Sequence, residues 1–517
     1  MNLRLRDTLT RSLLPVEPLE AGRVRMYSCG PTVYRYAHVG NLRTFLLPDL
    51  IRRVLLYHGI DVLHVQNITD VGHLRADAGG REVDPMLVAA GLEGRPSQEI
   101  ADAYEAAFHA DEALVNILPA HVYPRATEHI DDMIALATRL QELGHAYLSP
   151  AGNLYYDVST YPAYGALSGN TLGELDPGQR GDIEPDKRDP ADFALWKAAD
   201  ASRELRWPSP WGEGFPGWHL ECSAMALRHL GPTFDIHTGG EDNVFPHHED
   251  EIAQSAPIVG GPPARVWVHG AHLLMSGRKM SKSAGNFQRI TELGEDGLDP
   301  LAFRYLCLTS RYARKLNLSE RSISAASAGL ASLRAELAAL GPALAAGPWM
   351  APTPLVAGAS PDRPAGVASG LAGHGAPTSA ELADRAGSPS APLSPAGGAL
   401  HDRFTAAIDD DLDMPVALRI ARETLRAELP ADERRWLVLD MDFVLGLDLH
   451  RSDAIDLPAG AAQLPAGAAE LLAARVQARG NRDFAAADRL RDELRQLGVE
   501  PIDLGDGTSD WRRLPEG

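Results

Sequence analysis

Residues 278–286 read Arg-Lys-Met-Ser-Lys-Ser-Ala-Gly-Asn. The chain of 517 residues has only five lysines, at 187, 197, 279, 282 and 315, and two of them stand three apart in this stretch. Lysine is a compact charge on a flexible stem, whereas arginine is a planar fork. Ammonium groups on mobile stems suit phosphate charge that shifts during a reaction, and Ser281, Ser283 and Gly285 add hydroxyls and slack. A Lys-x-x-Lys pair on its own is an ordinary solvated loop. Phosphate chemistry requires a second element, and one is present near the start of the chain. Residues 24–29 read as a strand that Gly30 and Pro31 break. Leu42, Phe45, Leu46, Asp49, Leu50 and Val54 then recur at helical spacing, and Gly59 is a stop signal. Pro48 predicts a kink or break in that helix. Residues 61–68 read as a second strand, which completes a β-α-β unit. Its loop, His38-Val-Gly40-Asn41, opens a helix N-terminus, where unpaired N–H groups and partial positive charge attract phosphate. Gly40 allows close backbone approach, and His38 and Asn41 donate hydrogen bonds without adding charge. Taken singly, His38 reads as a capping or packed histidine.

Cysteine is scarce: Cys29, Cys222 and Cys307. Cys29 closes the first strand at the edge of the candidate phosphate loop, and Cys222 follows Trp218-His-Leu-Glu. His247 and Glu251 are four apart in a helical pattern and so share a face. Thiolate, imidazole and carboxylate suit tetrahedral Zn²⁺. Without a Cys-x-x-Cys pair the spacing is a weak metal signal, because a lone buried cysteine usually serves as a small hydrophobe. Cys307 reads as helix core, and Glu249 and Asp250 read as ordinary exposed carboxylates.

Together, His38-x-Gly40-Asn41 and Lys279-Met-Ser281-Lys282-Ser resemble the paired ATP-binding signatures of class I aminoacyl-tRNA synthetases. Within that class, five further segments are similar to cysteinyl-tRNA synthetases. They are Tyr27–Tyr34, Asn67–Asp70, Asp192–Lys197, Gly217–Met225 and Phe245–Glu251. The tail from Asp483 to Arg513 shares the likeness, which covers most of the chain outside roughly 341–400. The resemblance implies ATP contacts from His38, Gly40, Asn41, Lys279, Ser281 and Lys282, with His38, Asn41, Lys279 and Lys282 acting in catalysis. It implies one Zn²⁺ per chain on Cys29, Cys222, His247 and Glu251, and ATP as substrate with Mg²⁺. The residues themselves add Thr69, Trp218 and His237 as candidates for the cysteine pocket: Thr69 ends the second strand, Trp218 stands near Cys222 where it can close over the substrate, and His237 follows a strand-like run from which it can reach the adenylate. The residue-level alternatives are a core tryptophan for Trp218 and a strand-end hydrogen-bonded histidine for His237. A zinc site also has a chemical rationale. Cysteine and serine differ by one atom, and an apolar pocket separates near-isosteres by only about 1–3 kcal/mol. Zinc binds a thiolate far better than a neutral hydroxyl.

The implied fold is α/β: a Rossmann-like class I catalytic core in two halves, 1–115 and 216–290, around a connective insertion at 116–215. A helical stem-contact and anticodon-binding region at 291–340 and 399–464 and a small C-terminal tRNA-binding module at 465–517 follow. Pro, Gly, Ala and Ser dominate 341–398, which reads as a disordered insertion within the helical region. Arg482, Arg489, Arg512 and Arg513 are candidates for RNA phosphates and Trp511 for base stacking. Their bland alternative is a solvated helix face with internal ion pairs, as for Arg491 and Arg495. A net charge of −21 argues against indiscriminate nucleic-acid binding but not against a local basic stripe that reads a shaped RNA.

The expected reaction is ATP-dependent activation of L-cysteine and transfer to the terminal adenosine of tRNA(Cys). The rivals are a mycothiol-type ligase joining cysteine to a small-molecule amine and a non-catalytic RNA-binding paralogue. The expected protein is a cytoplasmic monomer with no membrane partner. One departure stands out: after Asp70, where many members of the family continue acidic-acidic-lysine, this chain reads Val71-Gly72-His73-Leu74.

Overall fold

The computed structural model describes residues 2–72, 75–76, 82–170, 186–199, 203–275, 277–279, 288–295, 297–341, 392–450, 483–496, 499–503 and 509–513, with scattered residues between 471 and 478. The chain forms two units, Met1–Ser452 and Asp453–Gly517.

The first unit is built on seven elements: β1 (Arg23–Ser28), α1 (Val39–Tyr57), β2 (Asp61–Gln66), α2 (Trp218–Leu230), β3 (Phe234–Gly240), α3 (Glu249–Val259) and β4 (Ala264–Gly270). The strands pair in the order β4-β3-β1-β2, all parallel. Parallel neighbours need crossovers, which α1 and α3 supply. Side chains of a strand alternate between faces. Met26, Ile236, Val62 and Val266 therefore join the core beneath α1, while Tyr27, Val65 and Trp267 join the core that holds α2 and α3. Register aligns Val65, Tyr27, His237 and Trp267 in one row across all four strands. From β1 the chain crosses to one edge, and from β3 it crosses to the other. The crevice between their C-terminal ends is the topological switch point, where open α/β sheets gather ligands.

Helix α1 runs on through Pro48 without the expected break. Burial on nearly every side, including Leu46, Leu47, Leu50 and Ile51, compensates for the missing backbone donor. Between the two halves of the core, strands Ala146–Leu148, Leu154–Tyr156, Phe193–Ala198 and Gly214–Pro216 form an antiparallel sheet beside the helix Ile130–Glu142.

Helices Leu301–Leu308, Glu320–Ala338, Pro395–Asp409, Met414–Leu425 and Ala431–Leu445 pack in the same hydrophobic core as α1. The third of these starts at Pro395, inside the segment expected to be disordered. Ser394 caps it by accepting from Gly397 N, and proline occupies the first turn, where its missing N–H costs nothing. The Pro-Ala-Gly-Gly composition hides this start. Most of the expected insertion, 342–391, lies outside the described residues.

A fully buried ionic junction joins these helices to the sheet. Asp49 of α1 meets Arg53 at 3.0 Å and Arg304 at 2.6 Å, all three side chains 0% exposed. Arg53 donates to the carbonyls of Asn116 and Phe443, and Arg304 to those of Val115, Asn116 and Leu445. Asp49 also accepts from Leu118 N at 2.9 Å. One carboxylate thus organises α1, the 115–118 segment and two helices.

In the second unit, helix Phe484–Gln496 precedes an antiparallel hairpin, Val499–Asp503 with Ser509–Arg513. Among the described residues no helix is long and apolar enough to cross a membrane.

The junction yields a stability prediction. Burial alone raises the Asp49 pKa, but Arg53 and Arg304 outweigh it and hold the carboxyl below its ordinary range. Its contribution is therefore fully present above the unfolded-state pKa of about 3.9 and is lost as pH falls through the lower folded value. Asp49→Asn should destabilise the first unit by about 3–5 kcal/mol at neutral pH, because two buried guanidinium groups lose their counter-charge. In urea melts at pH 7 and pH 3, the wild type should lose part of its advantage over the variant at the lower pH.

Candidate active site and metal centre

Helix α1 begins with a reciprocal cap. His38 Nδ1 accepts from Asn41 N at 3.1 Å, and Asn41 Oδ1 accepts from His38 N at 3.2 Å. The capping alternative for His38 is thus realised, and it orients the ring. With Nδ1 accepting, the proton resides on Nε2, so that nitrogen is the donor. Asn41 likewise keeps its amide NH₂ for donation. Gly40 is required for this arrangement, since a Cβ there would lie 2.9 Å from the His38 ring.

The lysine segment starts and ends beside that helix terminus. Leu273 lies against Gly40. The strand Leu273–Met275 pairs with Arg278–Lys279, placing Leu274 opposite Lys279. Past the loop, the Gln288 carbonyl accepts from Val39 N at 3.0 Å. The Lys279 side chain, Ser281 and Lys282 lie outside the described residues.

Cys29, Cys222, His247 and Glu251 converge at the switch point, with ligand atoms all within 4.8 Å of one another. Cys29 follows β1, Cys222 lies on α2, His247 lies in the helical turn Val244–His248 that leads into α3, and Glu251 lies in the first turn of α3. His247 Nε2 is 3.3 Å from Cys222 Sγ and 3.2 Å from Glu251 Oε1, and Cys29 Sγ is 3.7 Å from the same oxygen. These spacings match the edges, about 3.3–3.8 Å, of a tetrahedron with Zn–N and Zn–O bonds near 2.0 Å and Zn–S near 2.3 Å. The donor set fits a zinc ion.

A second group, Cys29, His237, His248 and Glu251, is equally compact. The hydrogen-bond chains distinguish the two. His247 Nδ1 faces His219 Nδ1 at 2.7 Å, and His219 Nε2 lies 3.3 Å from Asp250 Oδ2. A carboxylate–imidazole–imidazole relay of this kind turns the lone pair of His247 Nε2 toward the thiols, as in the outer shell of zinc sites. Glu251 Oε2 is taken by His237 Nε2 at 2.9 Å, leaving Oε1 for the quartet. His248 Nε2 is 3.1 Å from Cys29 Sγ, its Nδ1 is 2.8 Å from His269 Nε2, and His269 Nδ1 meets Thr8 Oγ1 at 2.7 Å. With the Thr8 hydroxyl donating, that chain leaves His248 Nε2–H to donate to the Cys29 sulfur. Burial, reinforced by neighbouring imidazoles, holds His248 well below its ordinary pKa and takes His269 down to about 3, so both rings are neutral.

The electrostatics agree with a cation site. Burial pushes the Cys29 thiol well up. The Cys29 hydrogen bond, together with His247, brings the Cys222 thiol below its ordinary value despite burial. Burial pulls His247 down, but the Cys222 and Glu251 charges outweigh it and raise the ring to about 9. In the metal-free protein a proton on His247 balances charge that a divalent ion takes over.

Thr69 is buried, accepting from Asn67 Nδ2 and donating to Glu221 Oε2, each at 3.1 Å. Trp218 is half-buried, its ring centroid 4.5 Å from that of His247. His237 is fully buried between the Trp267 ring at 4.6 Å and the Glu251 carboxylate. Two expectations are corrected: Glu249 and Asp250 are both 0% exposed. Three carboxylates in the first turn of α3 meet the positive end of its dipole. Glu249 accepts from Ser168 N at 2.8 Å, and Asp250 accepts from the Tyr164 hydroxyl. Sequence reasoning missed this support and the roles of His219, His248 and His269. The paired histidines followed by three acids, and the i, i+2 spacing of Trp267 and His269, were the available signals. In the second unit Arg489 is exposed on its helix and Trp511, Arg512 and Arg513 lie in the last strand, their side chains, like Arg482, outside the described residues.

The departure at Val71-Gly72 has its own packing. A Cβ at Gly72 would lie 2.0 Å from the Asp84 carboxylate. Asp84 pairs with Arg203 at 2.9 Å, and Arg203 donates to the Gly72 carbonyl. His73 and Leu74 lie outside the described residues.

A parallel sheet with ligand-bearing residues at its switch point, and a capped helix beside a lysine segment, define a class I synthetase core. Residues 15–328 match the family model described as tRNA synthetases class I (C) catalytic domain, and 461–500 match the Cysteinyl-tRNA ligase anticodon binding domain. The second match falls largely on the small C-terminal module and not on the helical segments where anticodon binding was expected. Relatives along the whole chain include Cysteine--tRNA ligase 1 of Burkholderia lata, 39% identical over 98% of this chain and 96% of its own length. The Cysteine--tRNA ligase of Zymomonas mobilis is 38% identical over 99% and 97%. Among solved structures, Mycobacterium tuberculosis methionyl-tRNA synthetase bound by methionyl-adenylate shares the fold, with a TM-score of 0.51 and 16% identity, covering 90% of this chain and 96% of that one. The chain belongs to the cysteine--tRNA ligase family of class I tRNA synthetases.

The donor set predicts a spectroscopic outcome. Titration of the reduced, metal-free protein with Co²⁺ should develop thiolate-to-metal charge-transfer absorption that saturates at one ion per chain. Cys222→Ser should weaken the band and the affinity, whereas Cys307→Ser should leave both unchanged.

Proposed function

We propose that the chain activates L-cysteine with ATP and transfers it to the terminal adenosine of tRNA(Cys), with zinc on Cys29, Cys222, His247 and Glu251 selecting the substrate sulfur. The convergence of those four side chains beside the capped start of α1 carries this reading. Bound there, zinc supplies a soft Lewis-acid contact that a thiolate satisfies and a neutral hydroxyl does not. ATP enters with Mg²⁺ as its counter-ion.

The protein's own part is positioning and electrostatic preorganisation. The cysteine carboxylate attacks the α-phosphorus, the bond to the pyrophosphate oxygen breaks, and cysteinyl-adenylate forms. His38 Nε2–H and the Asn41 amide donate to phosphate oxygens from a helix terminus already polarised toward anions. Lys279 and Lys282 neutralise charge on the pentavalent state and on leaving pyrophosphate. In the second step the ribose hydroxyl attacks the acyl carbon and AMP leaves. Trp218 shields the sulfur from water, Thr69 borders the amino-acid pocket, and His237 holds Glu251 in its ligating orientation. Arg482, Arg489, Trp511, Arg512 and Arg513 contribute to tRNA contact from the second unit.

Three measurements test this. Charging of total tRNA with labelled cysteine should occur with purified protein, and its absence alongside intact ATP–pyrophosphate exchange would favour a small-molecule ligase. Lys282→Ala should slow exchange by orders of magnitude while the KM for cysteine stays near that of the wild type. Glu251→Gln should lower bound zinc and narrow the preference for cysteine over serine, with metal analysis and serine-dependent exchange as readouts.

A further inference from the structure

Three segments meet beside the start of α1 in a contact that neither the phosphate signatures nor the metal quartet explains. Tyr36 lies two residues before the capping His38 and is 42% exposed. The Arg289 guanidinium, just past the lysine loop, stacks over the Tyr36 ring with its centre 3.6 Å from the ring centroid. Tyr104 meets the same ring edge-on at 4.8 Å and 81°. Below them Arg289 lies 3.8 Å from Asp111, whose side chain is 1% exposed. Both Tyr104 and Asp111 belong to the helix Ser97–Leu114, which is seated on α1 by the Phe45–Phe108 contact at 5.0 Å. Asp111 Oδ2 and Arg289 Nε are buried without hydrogen-bond partners.

Two facts make this more than packing. First, the neighbouring backbone bond from Val39 N to the Gln288 carbonyl, 3.0 Å, joins the first residue of α1 to the residue preceding Arg289. Side chain and backbone therefore fasten the same two segments at adjacent positions. Second, burial pushes the Asp111 carboxyl up to about 6, Arg289 opposes that shift, and Arg289 is its ion-pair partner among the described residues. Cation–π stacking of a planar guanidinium adds direction that an ammonium would not reproduce. The arrangement holds the outgoing end of the lysine loop at a set distance from the phosphate-binding helix terminus.

We propose that Arg289, clamped between Tyr36 and Asp111, is a positioning residue for adenylate formation that registers the lysine loop against the His38 loop. It touches no substrate; it acts by fixing residues 288–289, where the chain leaves the lysine segment, against the start of α1. This rests on the function proposed above.

The test uses the full chain in two assays with different dependencies. In cysteine-dependent ATP–pyrophosphate exchange, Arg289→Ala and Tyr36→Leu should lower kcat tenfold or more, leaving the KM for cysteine within twofold. Arg289→Lys should not restore the rate, because the planar stack is lost, and Tyr36→Phe should retain it, because the ring is kept. In limited trypsin digestion, cleavage after Arg278, Lys279 and Lys282 should be several-fold faster in Tyr36→Leu than in the wild type. Tyr36 is part-exposed, so this variant keeps the test open if Arg289→Ala misfolds. Variants with wild-type kcat and wild-type cleavage rates overturn the clamp, and full rescue by Arg289→Lys overturns the stacking role. A wild-type protein without exchange activity overturns the functional reading instead, and the digestion assay then still decides the clamp.

Discussion

Two thiols, an imidazole and a carboxylate share a buried space less than 5 Å across. That concentration of ligand atoms is the constraint around which the first unit is arranged. Without a cation, the site must hold protons to limit like charge, and the opposed shifts of Cys29, Cys222 and His247 express this. With one, the same side chains become a preorganised coordination shell. The outer partners make each ligand's orientation specific: Asp250 and His219 behind His247, His237 behind Glu251, and His248 and His269 behind Cys29. Burial of Glu249 and Asp250 at the start of α3 belongs to the same economy, since a helix terminus tolerates negative charge that an apolar core would not.

The side proposed to bind phosphate depends on a different device. Helix α1 carries the His38–Asn41 cap at its start and is buried in the larger hydrophobic core of the first unit along its length. Its first turn is capped by His38 and Asn41, and its third turn carries Asp49, the counter-ion of two buried arginines. The helices that follow the catalytic core are joined through that carboxylate to the helix that bears the His38–Asn41 cap. A rigid ionic junction of this kind resists small relative movements because its carbonyl partners come from several segments at once. It gives the catalytic sheet and the helices behind it one shared reference.

The sequence revealed unevenly what these sites contain. The His38–Asn41 cap was legible because helix-start chemistry is local, a matter of neighbours along the chain, whereas the Lys279 side chain and Lys282 lie outside the described residues. The quartet was legible only through several motifs taken together, because Cys29 and Cys222 come from distant segments and no spacing rule links them. Glu249 and Asp250 were misread for the opposite reason: acidic residues in a row resemble a solvated face, and nothing local shows that Tyr164, Ser168 and His219 will cover them. Pro48 and the helix start at Pro395 show the same limit, since local breaking tendencies were overridden by burial in one case and masked a usable cap in the other.

By itself, then, the chain's order of residues determined the alternation of strands and helices, the capped helix terminus and the candidate set of thiol, imidazole and carboxylate metal ligands. These follow from periodicities of two and 3.6 residues and from side-chain chemistry, which are local properties. The tertiary structure alone decided that β1 and β3 lie side by side with Tyr27, His237 and Trp267 in one row. It alone decided which imidazoles face the sulfur atoms and which stand behind them, and that Arg289 reaches Tyr36. Those outcomes depend on cross-strand register and on burial between residues far apart in the chain, where the competing arrangements are separated by packing and desolvation that no short window of sequence records.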